Sequence, residues 1–557
     1  MKRPQLLFIV LGVFFVFMAL GGCAASGGSS ASSETGASAS AASSASASAA
    51  TSASASASAS SSAAEPETTK ALQRSDAKTI DAVLGYFDQL AAIPRQTKNE
   101  QAVSDFLKGW AEERGFTVTQ DAANNIIFDV PATKGMDALP RVGLQAHMDM
   151  VCVAAAGVAY NPATDPINVV RDDAADTLTA NGTSLGADDG IGIALIMDVC
   201  ESGTPHGPLR VFFTTDEEED FTGVSTIDPA LVQDLGYLIN VDGEEADAII
   251  VSSAGGQTLT SVASLNLKGP ECDSAVTFTL EGLLGGHSGF QINDGHCNAV
   301  IELANMLNYF SEEGLPYELA SLNGGTAENA IPSEATATIA YNASDAELLN
   351  SLYTAYQQAL LNDYAGIEPN LSLRMDKVAV PNWVIEVGSA SSVLSYALNC
   401  FNGVYTMSDH IEGLVESSSN LGVFRANESD GFYARSFARS SNRDRLDEII
   451  QQQLDTAAQC GFEAQTSDYN EAWPYNPEST LRPLCEKVYK ENEGQDVRIL
   501  AIHAALECGS FTEKNAQLDI VSIGPTLYDV HSAEETLRLS SIPVTWRLLA
   551  GVLAAIE

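Results

Sequence analysis

A histidine and an aspartate stand one residue apart in the stretch LQAHMDMV, directly after a run of strand-forming residues. His147 and Asp149 would lie at the carboxyl end of that strand, where α/β sheets place their ligands because the loops there converge on a crevice. The imidazole would point into the crevice, and the carboxylate would orient it from behind. A single H-x-D pair is a weak signal, so its meaning depends on the residues at the ends of the neighbouring strands.

Acidic side chains come after each later strand of the same region. They are Asp188 and Asp189 in TSLGADDGIG, residues 216–220 in FFTTDEEED, and Asp242, Glu244 and Glu245 in LINVDGEE, with His531 further along in GPTLYDVHS. Carboxylates crowded into an empty crevice would repel one another, and a bound cation resolves that repulsion. Histidine, Asp and Glu without a thiolate suit catalytic zinc, and a carboxylate that bridges two ions suits a dinuclear hydrolase. The alternative is a set of unrelated solvated loops in a chain that is acidic throughout.

The elements that would position these residues alternate between helix and strand. Helical spacing covers 75–90, 100–114 and 191–200, and apolar runs indicate strands at 125–130, 142–146, 209–214 and 237–240. This alternation predicts an α/β domain built on a sheet. After residue 255 the strands become longer and alternating, which predicts a separate α+β domain at 263–466 that divides the first domain into 71–262 and 467–557.

The first 23 residues have the layout of an export signal. Two cations precede an apolar run, and the chain then reads Leu20-Gly21-Gly22-Cys23, which resembles a bacterial lipobox. This implies removal of residues 1–22 and lipidation of Cys23. A plain signal peptide and an uncleaved anchor helix are the alternatives. Residues 24–64 are almost only Ser, Ala and Gly, so residues 23–70 are predicted to form a flexible tether that holds the protein on the extracytoplasmic face of the cell membrane.

Charge and cysteine content exclude several classes of partner. The formal net charge is −45, from 28 basic and 73 acidic residues. A surface this acidic argues against binding to nucleic acid and against adsorption to anionic lipid, because both need cations. The nine cysteines include no CxxC pair, so neither a disulfide framework nor a thiolate zinc site is indicated.

Eight segments of the chain resemble one enzyme family in order and spacing. They are LQAHMDMVC, SLGADDGIG, TTDEEED, LINVDGEE, GLLGGHSG, AENAIPSEA, IHAALECG and SIGPTLYDVHS, and they resemble the aminoacyl-histidine dipeptidases, the Xaa-His dipeptidase type of co-catalytic di-zinc metallopeptidase. The resemblance covers nearly all of the chain after about residue 75. It implies an α/β zinc-peptidase catalytic domain with a mixed sheet, interrupted by an α+β lid domain through which the protein would form a homodimer.

The resemblance also implies a metal-ligand set. His147 and Asp242 would hold one zinc ion, Glu218 and His531 would hold the other, and Asp188 would bridge both. Mn²⁺ or Co²⁺ are possible substitutes for Zn²⁺ in such a site, since all the ligands are nitrogen or oxygen atoms.

The assignment of the general base depends on the register of the acidic run. By resemblance, Asp149 would fix the tautomer of the first histidine and Glu217 would be the base. Relatives usually have T-x-x-E-E-x-G here, whereas this chain has three glutamates followed by Asp220. A slip of one residue would make Glu218 the base and Glu219 the ligand.

The implied mechanism and substrate contacts involve both domains. A water shared by two zinc ions would attack the peptide carbonyl while Glu217 takes its proton. His287, in GGHSG of the other domain, would stabilise the charge on the carbonyl oxygen. The free carboxylate of a dipeptide needs cationic or amide donors, for which Arg439, Arg435 and Asn329 are candidates.

Several other residues have weaker interpretations. Glu507 and His503 in IHAALECG resemble pocket residues, and the acid could hold the free amine of the substrate. His206, His296 and His410 lie in loop-like sequence without matching partners, so we expect them to be solvated.

These observations leave three functions open. The first is an extracytoplasmic lipoprotein dipeptidase acting on Xaa-His dipeptides, with carnosine-like peptides as candidates. The second is an N-acyl-amino-acid amidase or deacylase on the same scaffold. The third is a non-enzymatic solute-binding lipoprotein, which would share the signal, the tether and the two lobes but would not need five metal ligands and a base.

Overall fold

The computed structural model describes residues 74–557. The predicted signal peptide (1–22), Cys23 and the predicted tether (23–70) lie outside the described residues. Within residues 74–557, no helix is both long enough and apolar enough to cross a membrane.

The helices are distributed along the whole described chain. In chain order they are α1 (Asp76–Ala91), α2 (Gln101–Glu113), α3 (Ala187–Glu201), α4 (Thr222–Thr226), α5 (Ala299–Glu312), α6 (Ala346–Asp363), α7 (Val387–Asn399), α8 (Arg443–Gln459), α9 (Leu481–Glu493), α10 (Cys508–Lys514) and α11 (Ile542–Ala555).

The strands fall into two groups. Those before residue 254 are β1 (Thr117–Gln120), β2 (Ile126–Val130), β3 (Arg141–His147), β4 (Val169–Asp172), β5 (Thr177–Ala180), β6 (Leu209–Thr214), β7 (Leu235–Asn240) and β8 (Ala248–Ser253). Those after it are β9 (Gly255–Ala263), β10 (Leu267–Lys268), β11 (Ser274–Glu281), β12 (Glu318–Gly324), β13 (Ala335–Tyr341), β14 (Ser372–Val378), β15 (Val384–Ile385), β16 (Gly403–Met407), β17 (Val415–Asn427), β18 (Gly431–Ser440), β19 (Glu463–Asn470), β20 (Arg498–Ile502), β21 (Asp519–Ser522), β22 (Leu527–Tyr528) and β23 (Thr536–Arg538).

The first sheet belongs to the predicted catalytic domain. Within residues 74–557 it has eight strands in the order β1-β2-β6-β3-β7-β21-β8-β20. β3 pairs in parallel with β6 and β7, and β7 pairs in parallel with β21. The pairs β1/β2 and β2/β6 are antiparallel, which confirms the predicted mixed sheet. The carboxyl ends of the four central strands therefore share one edge of the sheet.

The central strands are buried on both faces, as parallel strands usually are. β6 is buried at every position. Phe213 packs on one side with Phe87 of α1 and Trp546 of α11, whereas Phe212 packs on the other side with Phe511 and with Trp473, which is a packing residue. Close packing from both sides holds the strand ends in fixed positions, and the residues at those ends inherit this rigidity.

The second sheet forms the predicted α+β layer. Its strands run in the order β14-β11-β13-β12-β17-β18-β9-β19, with β16 paired to β17, and every pair is antiparallel. Helices α5, α6 and α7 cover one face and share a core with it, to which Phe278, Phe310 and Tyr396 belong. By sheet membership this layer spans residues 255–470, slightly more than the predicted 263–466, because β9 and β19 pair here.

Candidate metal centre and substrate cleft

Polar side chains follow or end three neighbouring strands, β6, β3 and β7, at the same edge of the first sheet. β3 ends at His147, which is in register with Thr214 at the end of β6. Gln145 of β3 is in register with Asn240 at the end of β7, and Asp242 lies two residues later. The acidic run that includes residues 217 and 218 comes directly after β6. The parallel arrangement therefore brings together residues far apart in the sequence, as expected at the carboxyl edge of an α/β sheet.

Asp188 lies between the two histidines of the site. Its Oδ1 is 3.0 Å from Nε2 of His147, and its Oδ2 is 3.1 Å from Nε2 of His531. Asp242 places an oxygen 3.5 Å from Nε2 of His147, and Glu218 places one 2.9 Å from Nε2 of His531. The structure therefore brings together all five predicted ligands as two His-carboxylate groups that share one aspartate.

The acidic run after β6 divides between the centre and the surface. Glu217 and Glu218 each offer a carboxylate oxygen within 4.8 Å of a ring nitrogen of His147. Glu219 and Asp220 instead turn outward to Lys98, whose Nζ lies 2.6 and 2.7 Å from their carboxylates. Only the first two glutamates of the run thus face the histidines.

Asp149 lies on the side of His147 opposite to the other carboxylates of the centre. Its side chain is fully buried, with Oδ1 3.5 Å from Nδ1 of His147. Its two oxygens also accept hydrogen bonds from the backbone N–H groups of Glu217 and Glu218, at 3.1 and 3.3 Å. Burial opposes ionisation of this carboxyl, but the hydrogen bonds from His147 and from the two backbone groups lower its pKa. Asp149 thus orients both the imidazole and the loop that carries the glutamates.

The electrostatics of the centre indicate a place for cations. Burial raises the pKa of Glu217 well above its usual range and raises that of Asp242 to about 6, with the neighbouring carboxylates adding to both effects. Hydrogen bonds to Asp188 and Glu218 raise the pKa of His531 to about 10, so its imidazole is protonated. Its positive charge offsets the surrounding carboxylates, as a bound cation would. Oε1 of Glu218 is buried without a hydrogen-bond partner among residues 74–557.

The donor set of this centre fits two divalent metal ions. It offers only nitrogen and carboxylate oxygen, which zinc, manganese and cobalt accept in catalytic sites. Shared use of Asp188 by both groups is the arrangement that a bridging ligand requires.

His287 lies in the second layer beside a buried arginine. Nη2 of Arg439, on β18, is 3.3 Å from Nε2 of His287. Burial and the adjacent guanidinium lower the pKa of His287 to about 4, so the imidazole is neutral at physiological pH. The loop is fixed by Glu368, whose carboxylate accepts the backbone N–H groups of Leu284 (2.7 Å) and Cys297 (2.9 Å) at its two ends.

Arg439 and Arg435 have different surroundings although both belong to β18. Arg439 is 6% exposed, its Nε has no hydrogen-bond partner, and it forms no ion pair with a carboxylate among residues 74–557. Burial lowers its pKa to about 10, so it remains charged. Arg435 is paired with Glu328 and Asp468, each at 3.2 Å. Of the two candidates, only Arg439 has charge left for an external anion.

The other predicted substrate residues occupy different positions. Asn329 is exposed, and its backbone carbonyl accepts the N–H of Ser288 beside His287. Glu507 is 0% exposed and is hydrogen-bonded inside the first layer, so the structure does not place it on a wall open to substrate. His503 is also buried, with Nε2 2.7 Å from the hydroxyl oxygen of Ser418.

A cavity of about 830 Å³ lies next to the metal centre, with Asp242 as the one predicted metal ligand in its wall. Asp242 and Glu244 lie at one part of its wall, and Phe290, three residues after His287, lies at another together with Leu506. Most of the cavity extends away from the metal ligands, along β8 and β20 towards α9 and α11, and His287 and Arg439 do not line it.

The structure shows two buried charges that the sequence analysis missed. The carboxylate of Glu535 accepts the backbone N–H groups of residues 185–188, at 2.7 to 3.3 Å, and so holds the turn that presents Asp188. The guanidinium of Arg95 donates to the carbonyls of Met148 (3.0 Å), Asp149 (2.9 Å) and Gly186. The position of Glu535, four residues after His531, was a weak signal, and Arg95 gave none.

One expectation about the remaining histidines is wrong. His206 is 4% exposed rather than solvated, because the loop before β6 packs it against the backbone, with Nδ1 2.6 Å from the carbonyl of Gly207. Burial lowers its pKa. His410 is exposed, as expected, and His296 is half-buried with Nδ1 2.5 Å from the carbonyl of Gly285.

Comparison with known proteins gives consistent similarities. The model of the M20 peptidase dimerisation domain matches residues 278–368, within the second layer. The cytosol non-specific dipeptidase of Escherichia coli (strain K12) is 34% identical over 472 residues, which cover 84% of this chain and 96% of that protein. The crystal structure of the aminoacylhistidine dipeptidase from Vibrio alginolyticus matches with a TM-score of 0.80 and 30% identity, covering 88% of this chain and 99% of that one.

Proposed function

This chain belongs to the M20 metallopeptidases of the Xaa-His dipeptidase type, and we propose that its dipeptidase activity depends on two divalent metal ions at the carboxyl edge of the first sheet. One observation carries the proposal. The two carboxylate oxygens of Asp188 lie 3.0 and 3.1 Å from two different imidazoles, and each imidazole has a second carboxylate of its own. A binding protein without catalysis would not need this arrangement.

Each metal ion would have its own pair of ligands in addition to the shared aspartate. His147 and Asp242 would hold one ion, Glu218 and His531 the other, and Asp188 both. When bound, two zinc ions would supply Lewis acidity that lowers the pKa of a water and polarises a carbonyl group, and Mn²⁺ or Co²⁺ could replace them.

Glu217 is the proposed general base. Its carboxylate lies beside His147 and Glu218, and its backbone is held by Asp149. It would accept a proton from the attacking water and then deliver that proton to the nitrogen of the leaving amine, so that no net proton is gained or lost by the enzyme. The contact between Lys98 and Glu219 supports this register over the one shifted by a residue.

Arg439 and His287 would contact two different groups of the dipeptide, its terminal carboxylate and its scissile carbonyl. The unpaired guanidinium of Arg439 offers a charge-assisted hydrogen bond to the free carboxylate of the substrate. A neutral His287 can donate one hydrogen bond to the carbonyl oxygen as negative charge develops there. Asn329, in the neighbouring loop, would add an amide donor.

The cellular setting is part of the proposal. The apolar run, the lipobox-like segment and the Ser/Ala tether support a protein anchored through lipidated Cys23 on the extracytoplasmic face of the membrane. The match to the M20 peptidase dimerisation domain supports a homodimer formed through the second layer.

Substrate comparison tests the proposed activity. Ala-His and β-Ala-His would be offered to the metal-loaded enzyme next to N-acetyl-Ala-His, and released histidine would be measured. We expect the free dipeptides to be cleaved at least 10-fold faster, a difference of about 1.4 kcal/mol in transition-state binding. Faster cleavage of the acetylated peptide would favour the amidase alternative. Peptide binding without metal or hydrolysis would favour a solute-binding protein.

A further inference from the structure

A network of four buried side chains lies directly behind the metal centre. Oε2 of Glu507 accepts hydrogen bonds from Nε2 of Gln145 (2.5 Å) and from the hydroxyl of Thr214 (2.6 Å). The carbonyl oxygen of Gln145 accepts in turn from Nδ2 of Asn240, also at 2.5 Å. All four residues are 0% exposed.

Each strand that contributes to this network also positions part of the metal centre. Gln145 lies two residues before His147 on β3, so the two side chains point to the same face of the strand. Asn240 lies at the end of β7, two residues before Asp242. Thr214 ends β6, after which the chain turns into the acidic run. The network therefore connects three neighbouring strands at or within two residues of their carboxyl ends, just before their functional side chains.

The geometry distinguishes Glu507 from a residue that binds substrate. Both donors that point to its Oε2 come from within the sheet, and the residue has no exposed surface. Its other oxygen, Oε1, is buried without a hydrogen-bond partner among residues 74–557. No cationic side chain within that range is hydrogen-bonded to it, so Glu507 joins neutral groups rather than an ion pair.

We propose that Glu507 is a positioning residue that links the ends of β3, β6 and β7 and so sets the spacing of the metal ligands. This inference rests on the proposed two-metal centre. Loss of the acceptor would free the side chains of Gln145 and Thr214 and let the strand ends separate. Metal affinity should fall, and turnover should fall with it, whereas recognition of the dipeptide should not change.

The test compares two substitutions in the full chain. Glu507→Gln keeps the size and one acceptor oxygen, and Glu507→Leu keeps the approximate volume without an acceptor. Zinc affinity would be measured by competition with a chromophoric chelator, and kcat and KM by hydrolysis of Ala-His. We expect the Gln variant to stay within about 3-fold of wild type, and the Leu variant to lose about 10-fold or more in zinc affinity and in kcat with little change in KM.

A matched control and a second variant separate positioning from general destabilisation. Asp519 is a buried carboxylate at the opposite end of the sheet, where it accepts the N–H groups of Thr480 (2.7 Å) and Leu481 (2.9 Å). Asp519→Asn should lower thermal stability without changing zinc affinity. If Glu507→Leu does not fold, Thr214→Val removes one donor at nearly constant volume and should weaken zinc binding in the same direction.

Two results would overturn the inference. An unchanged zinc affinity in Glu507→Leu and Thr214→Val would show that the network does not set the ligand spacing. A raised KM for free dipeptides in Glu507→Gln, with normal zinc affinity, would show that Glu507 contacts the substrate amine. Zinc affinity is measured without substrate, so failure of the dipeptidase assay in the wild type would leave this test intact.

Discussion

At the scale of single residues, the presence or absence of an ion-pair partner distinguishes an arginine with a structural role from an arginine that can bind substrate. Arg435 is neutralised by Glu328 and Asp468, whereas Arg439 is buried beside His287 with no carboxylate partner among residues 74–557. A buried cation without a counter-ion is costly unless a ligand supplies the anion. The substrate carboxylate is the anion that the proposed reaction provides.

Replacement of Arg439 should therefore weaken substrate binding. A charge-assisted hydrogen bond is worth about 1.5–3 kcal/mol, so Arg439→Met should raise KM for a dipeptide by about 10- to 100-fold. For the same dipeptide carrying a carboxamide terminus, wild type and variant should differ little. Arg435→Met is the matched control on the same strand, and an equal rise in KM for that variant would contradict the assignment.

His503 should make stability depend on pH. Burial, together with the positive charge of Arg439 and the nearby imidazole of His287, lowers its pKa to about 3, whereas an unfolded histidine titrates near 6.5. Between these values the unfolded chain takes up a proton that the folded chain does not, so stability is lost as pH falls from about 6.5 towards 3. His503→Gln should lose less stability between pH 7.5 and pH 5 than wild type in urea unfolding. Exposed His410→Gln should behave as wild type, and equal pH dependence in all three proteins would contradict this assignment.

At the scale of elements, the turn before α3 is organised by a residue far away in sequence. Glu535 accepts the N–H groups of residues 185–188 on one side, and Arg95 donates to the carbonyl of Gly186 on the other. The turn that carries Asp188, the proposed bridging ligand, therefore has its backbone groups held by hydrogen bonds to Glu535 and Arg95. Loss of a residue that holds a metal ligand in place typically lowers metal affinity by about 10- to 100-fold.

Loss of the Glu535 charge should weaken metal binding by way of this turn. An amide offers one acceptor oxygen where the carboxylate offers two, so Glu535→Gln should lower zinc affinity about 10-fold, with activity restored by excess zinc. Glu534→Gln, at the exposed neighbouring position, should have no effect. Chelator competition would measure both, and identical affinities in the two variants would remove Glu535 from the metal centre.

The positions of the helices and strands were largely predictable from the sequence, but the contacts between residues far apart in the chain were not. The sequence predicts β6 with its observed bounds because a buried parallel strand is a continuous apolar run. The predicted start of α3 was four residues late, since Asp and Gly at 188–190 favour helices weakly. Contacts such as Glu535 with residue 188 join points about 350 residues apart, and no local pattern indicates them.

At the scale of the whole molecule, the chain crosses from the first layer to the second and back. The proposed metal ligands belong to the first layer and the proposed substrate contacts His287 and Arg439 to the second, so in the proposed function neither layer alone would hold both ends of a dipeptide. The passage of the chain from one sheet to the other and back was predictable because the strand texture changes near residue 255 and changes back near 467. The cavity next to Asp242 was not predictable from the sequence, because it depends on how elements far apart in the chain pack together.

The proposed attachment to the membrane is also a property of the whole molecule. A net charge of −45 gives no attraction to anionic lipid, so Cys23 would have to carry the membrane affinity through its acyl chains, at about 0.8 kcal/mol for each buried methylene. Expressed in a bacterium, the wild-type chain should partition with washed membranes and Cys23→Ser should be released. Cys152→Ser is the control. A Cys23→Ser protein that stays in the membrane fraction would point to an uncleaved anchor helix instead.

The central claim is that two metal ions and Glu217 together cleave a dipeptide. The most direct measurement is metal content per chain by elemental analysis together with histidine release from Ala-His, on wild type, Glu217→Gln and Glu219→Gln. We predict two ions in all three proteins, a loss of turnover of about 10²- to 10⁴-fold in Glu217→Gln, and near-normal turnover in Glu219→Gln. Full turnover in Glu217→Gln, or fewer than two ions in the wild type, would contradict the account.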